Sequence, residues 1–277
     1  MKTPDGIYTC RARGNFRKKS QTPLVGDYVK IRIVSDGEME GYVEEIEERK
    51  NSLIRPPIAN IDRLIIVSAT ANPSPDTVFI DKMTAICEHN KIEPVLCFNK
   101  SDLQHDDSII KEYKKTGYKV IVTSTVENTG LCELEEITKS GITAVAGFSG
   151  VGKSSLLNTV LKNEELETGS ISERLLRGKH TTRHLELYPL EKGGFLADTP
   201  GFSNLDINMI RALELSDLFR EFSDYEDMCR YHDCTHRKEP GCAIAKAVED
   251  NLIPSFRHEN YIAFYNELDK IKEWERK

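Results

Sequence analysis

The chain has 277 residues, seven cysteines and a formal net charge of −7 at pH 7. This length fits about two domains and is ample for a hydrophobic core. No run approaches the eighteen apolar residues needed to cross a bilayer, and no apolar signal segment opens the sequence, so a membrane protein is excluded and a cytoplasmic one is expected. Without an export signal, the cysteines are not expected to form a disulfide framework.

Positive charge is concentrated near the N-terminus. Residues 1–35 carry eight Lys/Arg against two Asp/Glu, a net +6, which leaves −13 for the remainder. Short alternating apolar runs such as Val29, Ile31 and Ile33 predict a small β-barrel of the OB type over residues 1–63. Its basic cluster, which surrounds Phe16, comprises Arg11, Arg13, Arg17, Lys18 and Lys19. Such a cluster could hold RNA phosphates and stack a base, and a solvated basic face is the alternative.

From Leu64 onward, apolar strands alternate with helical patterns, which predicts a doubly wound, mostly parallel α/β sheet. The predicted strand 94–98 is followed by Asn99-Lys100-Ser101-Asp102, at the strand end where such sheets bind ligands. N-K-x-D is the guanine-recognising signature of GTPases, because the Asp102 carboxylate can accept from two guanine donors that adenine lacks. A helix N-cap at Asp102 is the alternative. The next predicted strand ends near Ser124, where a GTPase places a second base-contacting loop.

A phosphate-binding P-loop is predicted between the apolar strand 142–146 and a helix that follows it. The G-x-x-x-x-G-K-[ST] match consists of Gly147, Phe148, Ser149, Gly150, Val151, Gly152, Lys153 and Ser154. Its glycines let backbone N–H groups converge on phosphate oxygens at a helix N-terminus. Lys153 is predicted to reach the β- and γ-phosphates, and the Ser154 hydroxyl to bind Mg²⁺.

Two segments after the P-loop match the switches of a GTPase. The pair Thr181-Thr182 is predicted to sense the γ-phosphate and Mg²⁺. Asp198-Thr199-Pro200-Gly201 matches D-x-x-G, so Asp198 is predicted to hold Mg²⁺ through water and the Gly201 N–H to contact the γ-phosphate. Phe202 follows, where Ras-like enzymes have a water-orienting glutamine. His180 is therefore the candidate to orient water, a surface histidine being the alternative.

The order of these motifs differs from that of ordinary GTPases. Ordinary GTPases run from P-loop through both switches to N-K-x-D and the base loop, whereas here N-K-x-D and the base loop precede the P-loop. This order predicts a circularly permuted GTPase domain. Permutation preserves the site, because the termini of a parent fold lie near each other at its surface.

A metal site is predicted in the C-terminal region, which is expected to be helical. Cys229, Cys234, His236 and Cys242 offer three thiolates and an imidazole, a complete tetrahedral set for one structural zinc. His232 is a less favoured ligand, and unrelated reduced cysteines are the alternative. A terminal amphipathic helix is predicted over 254–274, with its apolar stripe in the core.

The basic barrel, the permuted GTPase motifs and the Cys-x4-Cys-x-His-x5-Cys tail together resemble the bacterial RsgA family, also called YjeQ, of small ribosomal subunit biogenesis GTPases. The resemblance implies a GTPase with Mg²⁺-bound GTP, one zinc, and activation by the immature small subunit, whose rRNA it contacts. It assigns Asn99, Lys100 and Asp102 to guanine and Gly147 to Ser155 to the phosphates. Few residues precede Cys10, so we expect a shorter first strand than the family usually has.

On this reading, residues 1–63 form the RNA-binding barrel, 64–214 the permuted GTPase domain and 215–277 the zinc-binding domain of a monomer. The alternative function is a non-ribosomal signalling GTPase with an accessory RNA-binding domain. It would share the nucleotide site but would not need the basic barrel or the metal site. Stimulation of hydrolysis by small subunits separates the two functions.

Overall fold

The computed structural model describes residues 1–12, 22–35, 37, 39–54, 56–103, 106–162, 185–190, 193–198 and 207–272. The described part of the N-terminal region contains seven short strands. They are β1 (Lys2–Thr3), β2 (Gly6–Ile7), β3 (Thr9–Ala12), β4 (Val29–Ser35), β5 (Glu40–Ile46), β6 (Ser52–Leu53) and β7 (Ile58–Ala59). Strands β3, β5 and β4 form a three-stranded sheet in that order, while β1–β2 and β6–β7 form two antiparallel pairs.

The alternation that predicted β4 does not carry through the whole strand. Ile33, expected on the inner face, is 46% exposed. The register between β4 and β5 shifts between Lys30 and Ile31 and again between Ile33 and Ser35, so the regular pairing that alternation assumes is interrupted on both sides of Ile33. The buried apolar residues of this sheet come instead from β5, namely Val43 and Ile46.

The basic cluster predicted to hold RNA lies mostly outside the described residues. Arg11 is on β3 and is exposed. Arg13, Arg17, Lys18, Lys19 and the interleaved Phe16 are in the segment that the structure does not describe. RNA binding by this cluster therefore stays a prediction.

The segment before the large sheet packs with that sheet. The Asn51 side chain donates to the Ile61 carbonyl (2.8 Å) and accepts from the Ile61 N–H (2.9 Å). Leu53, Ile58 and Ile61 are buried in the same core cluster as Leu64. The packing of the large sheet thus extends back to Leu53, ten residues before the predicted domain limit at residue 63.

The large sheet has six strands. They are β8 (Arg63–Ala69), β9 (Glu93–Asn99), β10 (Lys119–Val122), β11 (Ile142–Ala146), β12 (Glu186–Pro189) and β13 (Phe195–Asp198). Their order is β10-β9-β8-β11-β13-β12, and all neighbours are parallel except β12 and β13. The first strand of the sheet along the chain, β8, therefore lies at its centre beside the P-loop strand β11.

Both faces of this sheet are covered. On β8, Leu64 and Ile66 belong to one core cluster, and Ile65 and Val67 belong to another. A strand buried on both faces has no need of polar alternation, which explains its continuous apolar run.

Six helices accompany the sheet and the C-terminal region in the described part of the chain. They are α1 (Thr77–His89), α2 (Ser108–Tyr113), α3 (Leu131–Thr138), α4 (Lys153–Lys162), α5 (Ala243–Glu249) and α6 (Ser255–Leu268). Asp76 caps α1, its side chain accepting from the Phe79 N–H at 2.9 Å. None of the helices described is long and apolar enough to cross a membrane.

The C-terminal region shares its core with the sheet. Between residues 212 and 228 the chain forms four 3₁₀ turns, and α5 and α6 follow. The apolar stripe predicted for the last helix is buried at Tyr261, Phe264, Tyr265 and Leu268, all in the cluster that contains Leu64. The helix ends at Leu268, short of the predicted end at residue 274.

Candidate nucleotide site and metal centre

The P-loop joins the end of β11 to the start of α4, as predicted. Gly147 and Gly152 have φ values of 150° and 91°. A Cβ atom on Gly147 would lie 2.3 Å from the Val67 carbonyl oxygen, and one on Gly152 would lie 2.3 Å from Asn99 Nδ2. Only glycine fits these two positions without displacing the neighbouring backbone or side chain.

Lys153 turns back over the loop from the first residue of α4. Its Nζ donates to the carbonyl oxygens of Gly147 and Phe148, both at 2.6 Å. Burial lowers the pKa of this ammonium group. A cation held against the loop with its charge partly desolvated is well placed for an anionic ligand.

The remaining P-loop residues divide between packing and exposure. Val151 is buried at 3%, whereas Phe148, the first residue after Gly147, is 41% exposed. Ser149 and Gly150 are exposed at the tip of the loop, and Ser154 and Ser155 are exposed in the first turn of α4. The hydroxyl and amide groups predicted to meet phosphate and Mg²⁺ are thus accessible at the helix N-terminus.

Asn99 connects the N-K-x-D segment to the P-loop. It is the last residue of β9 and is 1% exposed. Its Nδ2 donates to the Val151 carbonyl at 3.0 Å, and its Oδ1 accepts from the Thr123 hydroxyl at 3.0 Å. One buried amide group therefore fixes the P-loop, the N-K-x-D segment and the loop after β10 relative to one another.

Asp102 and Ser124, predicted to lie at the base, are in contact. The Ser124 hydroxyl donates to Asp102 Oδ1 at 2.6 Å, and Ser124 Oγ accepts from the N–H groups of Val126 (3.2 Å) and Glu127 (3.1 Å). The second carboxylate oxygen of Asp102 is not part of this contact. The arrangement orients the carboxylate while leaving it partly exposed.

Lys100 and Ser101 complete the segment between Asn99 and Asp102. Lys100 has a φ of 65°, and its Nζ donates to the Asn72 carbonyl at 2.5 Å. Its own carbonyl accepts from the Thr70 hydroxyl at 2.8 Å, and the Ser101 N–H donates to the Thr123 carbonyl at 3.1 Å. The residues that follow β8 and those that follow β10 therefore hold this segment from its two sides.

The switch residues are only partly described. Asp198 is the last residue of β13, which pairs in parallel with the P-loop strand β11. Its backbone therefore reaches the sheet edge that carries the P-loop. His180, Thr181, Thr182, Gly201 and Phe202 lie outside the described residues, so their predicted roles stay predictions.

The four predicted metal ligands come together in space. The candidate ligand atoms of Cys229, Cys234, His236 and Cys242 all lie within 4.8 Å of one another. His236 Nδ1 is 3.5 Å from Cys229 Sγ and 3.6 Å from Cys242 Sγ, so Nδ1 is the ring nitrogen that faces the thiols. His232 is exposed and is not part of the cluster, in agreement with the preference for His236.

The donor set fits a divalent metal ion such as zinc. Burial, with a smaller contribution from the neighbouring thiol of Cys242, raises the pKa of Cys234 to about 12, and burial lowers the pKa of His236. Three crowded thiols ionise together only beside a compensating cation. The Ala243 N–H points to Cys229 Sγ (3.3 Å) and the Ala245 N–H to Cys242 Sγ (3.4 Å), contacts that favour thiolates.

Glu239, which sequence patterns did not single out, organises the loop between the ligands. Its carboxylate accepts from the N–H groups of Thr235, Arg237 and Lys238 at 2.9 to 3.0 Å, and from the Thr235 hydroxyl at 2.5 Å. These hydrogen bonds lower the pKa of Glu239 to about 2, against the opposing effect of burial. A Glu in a polar loop gives no spacing signal by which to recognise this role.

Two further contacts were not foreseen. Thr123 lies in the predicted base-contacting loop 123–125, and its hydroxyl holds Asn99. Phe79, in the first turn of α1, packs its ring 4.4 Å from that of the P-loop Phe148. Helical periodicity identified α1 but gave no sign that Phe79 contacts the P-loop.

The P-loop and the N-K-x-D segment lie at the same edge of the sheet. Their order along the chain is rearranged relative to that of ordinary GTPases. These features define a circularly permuted P-loop GTPase. Residues 46–208 match the family model described as RsgA GTPase, and residues 1–43 match the RsgA N-terminal domain. The chain belongs to the RsgA family and is a GTP hydrolase.

Relatives and solved structures cover nearly the whole chain. The protein of Caldanaerobacter subterraneus subsp. tengcongensis named small ribosomal subunit biogenesis GTPase RsgA is 46% identical over 99% of this chain and 92% of its own length. The fold is similar to the crystal structure of YjeQ from Thermotoga maritima, with a TM-score of 0.80 and 36% identity over 95% of this chain and 90% of that one. YloQ, a circularly permuted GTPase, also gives a TM-score of 0.80, with 37% identity over 96% and 87% of the two chains.

Proposed function

We propose that this GTPase binds the immature small ribosomal subunit in the cytoplasm and hydrolyses GTP to assist its late maturation. The subunit stimulates hydrolysis. The observation that carries the proposal is the similarity to two relatives, matched over 99% and 96% of this chain, that are both named small ribosomal subunit biogenesis GTPase RsgA. The permuted nucleotide site described above supplies the activity.

Guanine is held by the segment after β9. Asp102 accepts from the two guanine donors, and the Ser124 contact at 2.6 Å supports this role by orienting the carboxylate. Asn99 and Lys100 hold guanine together with Asp102, the protein contacts of Asn99 also position the segment, and Ser101 flanks the base. Gly147 to Ser155 receive the phosphates, Asp198 serves Mg²⁺ through water, and Gly201 meets the γ-phosphate.

Hydrolysis needs a positioned water. The water oxygen attacks the γ-phosphorus, the bond to the β–γ bridging oxygen breaks with its electron pair leaving on GDP, and the water proton ends on inorganic phosphate. Lys153 stabilises the developing charge, and Thr182 and His180 act from the switch segment, His180 by orienting the water. Mg²⁺, when bound by Ser154, neutralises phosphate charge.

The metal centre binds one structural zinc, and its contact network supports that assignment. Zinc takes four N/S ligands tetrahedrally, which the Cys₃His cluster provides. The N-terminal β domain and the metal-bearing region meet ribosomal RNA, the former through its basic cluster. The working unit is a monomer with domains at residues 1–63, 64–214 and 215–277.

The decisive experiment is GTP turnover with and without purified small ribosomal subunits, with large subunits as the matched control. We expect slow basal turnover, strong acceleration by small subunits and none by large subunits. His180→Ala should lose about 10²- to 10³-fold of the stimulated rate while nucleotide binding is retained. Absence of stimulation in the parent protein would contradict the ribosomal function, and full stimulation of His180→Ala would eliminate the role of His180 alone.

A further inference from the structure

Helix α1 touches the P-loop at its first turn. The ring of Phe79 packs against that of Phe148, with centroids 4.4 Å apart and planes at 42°. Phe79 is 8% exposed, and its N–H is fixed by the Asp76 cap at 2.9 Å. Because the Phe148 carbonyl in turn accepts from Lys153, the position of Phe79 bears on the loop that the lysine closes.

The same helix is clamped by the C-terminal helix α6. Arg257 on α6 is fully buried and pairs with Asp81 of α1 at 2.8 Å. Asn260, one turn further along α6, donates to Asp81 Oδ2 at 2.7 Å and to the Thr77 hydroxyl at 3.4 Å. These contacts hold the first two turns of α1, the part that carries Phe79.

The clamp is a completed polar network in an apolar core. Arg257 also binds both carboxylate oxygens of Glu221, at 2.5 and 3.0 Å, and donates to the Thr84 hydroxyl at 3.2 Å. The Tyr113 hydroxyl donates to Asp81 at 2.7 Å. A buried network in which each charge is paired specifies one arrangement of its elements, because any other arrangement leaves a charge unpaired.

We propose that Arg257 and Phe79 are positioning residues for nucleotide binding. Arg257 fixes α1 against the C-terminal region, and α1 fixes the P-loop through the Phe79–Phe148 contact. The fold of the C-terminal region thereby sets the nucleotide affinity of the P-loop. This inference rests on the proposed assignment of residues 147–155 to the phosphates.

The far end of α1 supplies a matched control. Arg220, also from the C-terminal region, binds Glu88 in the last turn of α1 at 2.5 Å and Glu93 at 2.8 Å. It clamps the helix with the same chemistry as Arg257 but at the end remote in sequence from Phe79. Arg220→Lys therefore reports what a weakened interdomain clamp does by itself.

The test is the affinity for a fluorescent GDP analogue, measured on the full chain at a temperature where circular dichroism shows every variant folded. Arg257→Lys keeps the charge but cannot bridge Asp81 and Glu221 with a planar fork. We expect Arg257→Lys and Phe148→Leu each to weaken binding by about 2- to 30-fold, the range of couplings carried by such networks. Arg220→Lys should bind like the parent.

The double variant Arg257→Lys/Phe148→Leu should bind the GDP analogue as tightly as whichever single variant has the lower affinity. Both changes interrupt the same connection from α6 through α1 to the P-loop, so their effects should not add. Phe148 is 41% exposed, so Phe148→Leu is expected to fold. Phe148→Leu and Asn260→Ala therefore test the connection from α6 through α1 to the P-loop even if Arg257→Lys does not fold. The inference is overturned by parent-like affinity in Phe148→Leu and Asn260→Ala, by fully additive losses, or by an equal loss in Arg220→Lys. A parent protein that binds no GDP overturns the proposed nucleotide site itself.

Discussion

Asn99 illustrates how one buried side chain can join loops 52 residues apart in the chain. The N-K-x-D signature identified it from sequence as a guanine contact. In the structure its amide oxygen accepts from Thr123 and its amide nitrogen donates to Val151, which leaves the second amide N–H for the base, so the guanine contact stays a prediction. Sequence reasoning found the residue because its spacing is fixed by the motif, but its partners depend on strand order, which spacing does not contain.

Glu239 is a residue-scale support of the metal loop, and we expect Glu239→Gln to weaken zinc binding. A carboxylate accepts hydrogen bonds at both of its oxygens and carries a negative charge. The amide of glutamine accepts only at its single oxygen and is neutral. Loss of such an outer-shell partner typically costs about 10- to 100-fold in metal affinity. Competition with a chromogenic chelator at pH 7 measures the change.

The charge of Glu239 is present throughout that measurement. Its pKa in the folded protein is lowered to about 2, so its stabilising effect is present above the ordinary value of 4.5 and is lost as the pH falls toward 2. Glu259→Gln, on α6, is the control. Equal chelator competition by the parent and Glu239→Gln would show that the carboxylate does not organise the metal loop.

At the scale of elements, the strand–loop–helix unit β11–α4 was predicted almost to the residue. Apolar β-branched runs and glycines in a fixed pattern define it locally. The same holds for β8 and β9, predicted from continuous apolar runs. By contrast, β4 loses its predicted alternation at a register shift, and α1 contacts the P-loop through Phe79, because both depend on partners distant in sequence.

Within this unit, Gly152→Ala should weaken nucleotide binding by more than about tenfold. The added Cβ would lie 2.3 Å from Asn99 Nδ2 at a φ of 91°, so the loop or Asn99 has to move. Calorimetric titration with GDP measures the loss. Gly37→Ala is the control, since a Cβ there meets nothing within 4 Å and that residue has no left-handed φ. Parent-like affinity in Gly152→Ala would contradict the proposed role of this glycine.

On the scale of the whole molecule, the C-terminal region and the GTPase sheet share one apolar core, joined by the buried pairs of Arg257. The three predicted regions were visible in sequence as changes of pattern and charge. Their shared packing was not, because Asp81, Glu221 and Arg257 are individually ordinary charged residues in sequence. Only the tertiary contact makes a buried network of them.

Removal of the metal should therefore lower the stability of more of the protein than the metal loop. Cys234→Ser is expected to release the zinc and lower the unfolding temperature, since structural zinc sites contribute an apparent binding free energy of about 10 to 16 kcal/mol. Metal analysis and thermal unfolding of the purified protein measure both effects. His232→Ala should keep one zinc per chain, because His232 lies outside the cluster. Full zinc content in Cys234→Ser would refute the ligand set.

Nucleotide preference tests most directly whether N-K-x-D and the P-loop, reversed in chain order, form one guanine-nucleotide site. The measurement is the affinity of the parent and Asp102→Asn for GDP, ADP and xanthosine diphosphate. The parent should prefer GDP to ADP by up to about 10⁴- to 10⁵-fold, because a site built to hydrogen-bond a group rejects ligands that lack it. Asp102→Asn should shift its preference to xanthosine diphosphate, since an amide can donate to the xanthine carbonyl. Equal binding of GDP and ADP by the parent, or an unchanged preference for GDP in Asp102→Asn, would contradict the account.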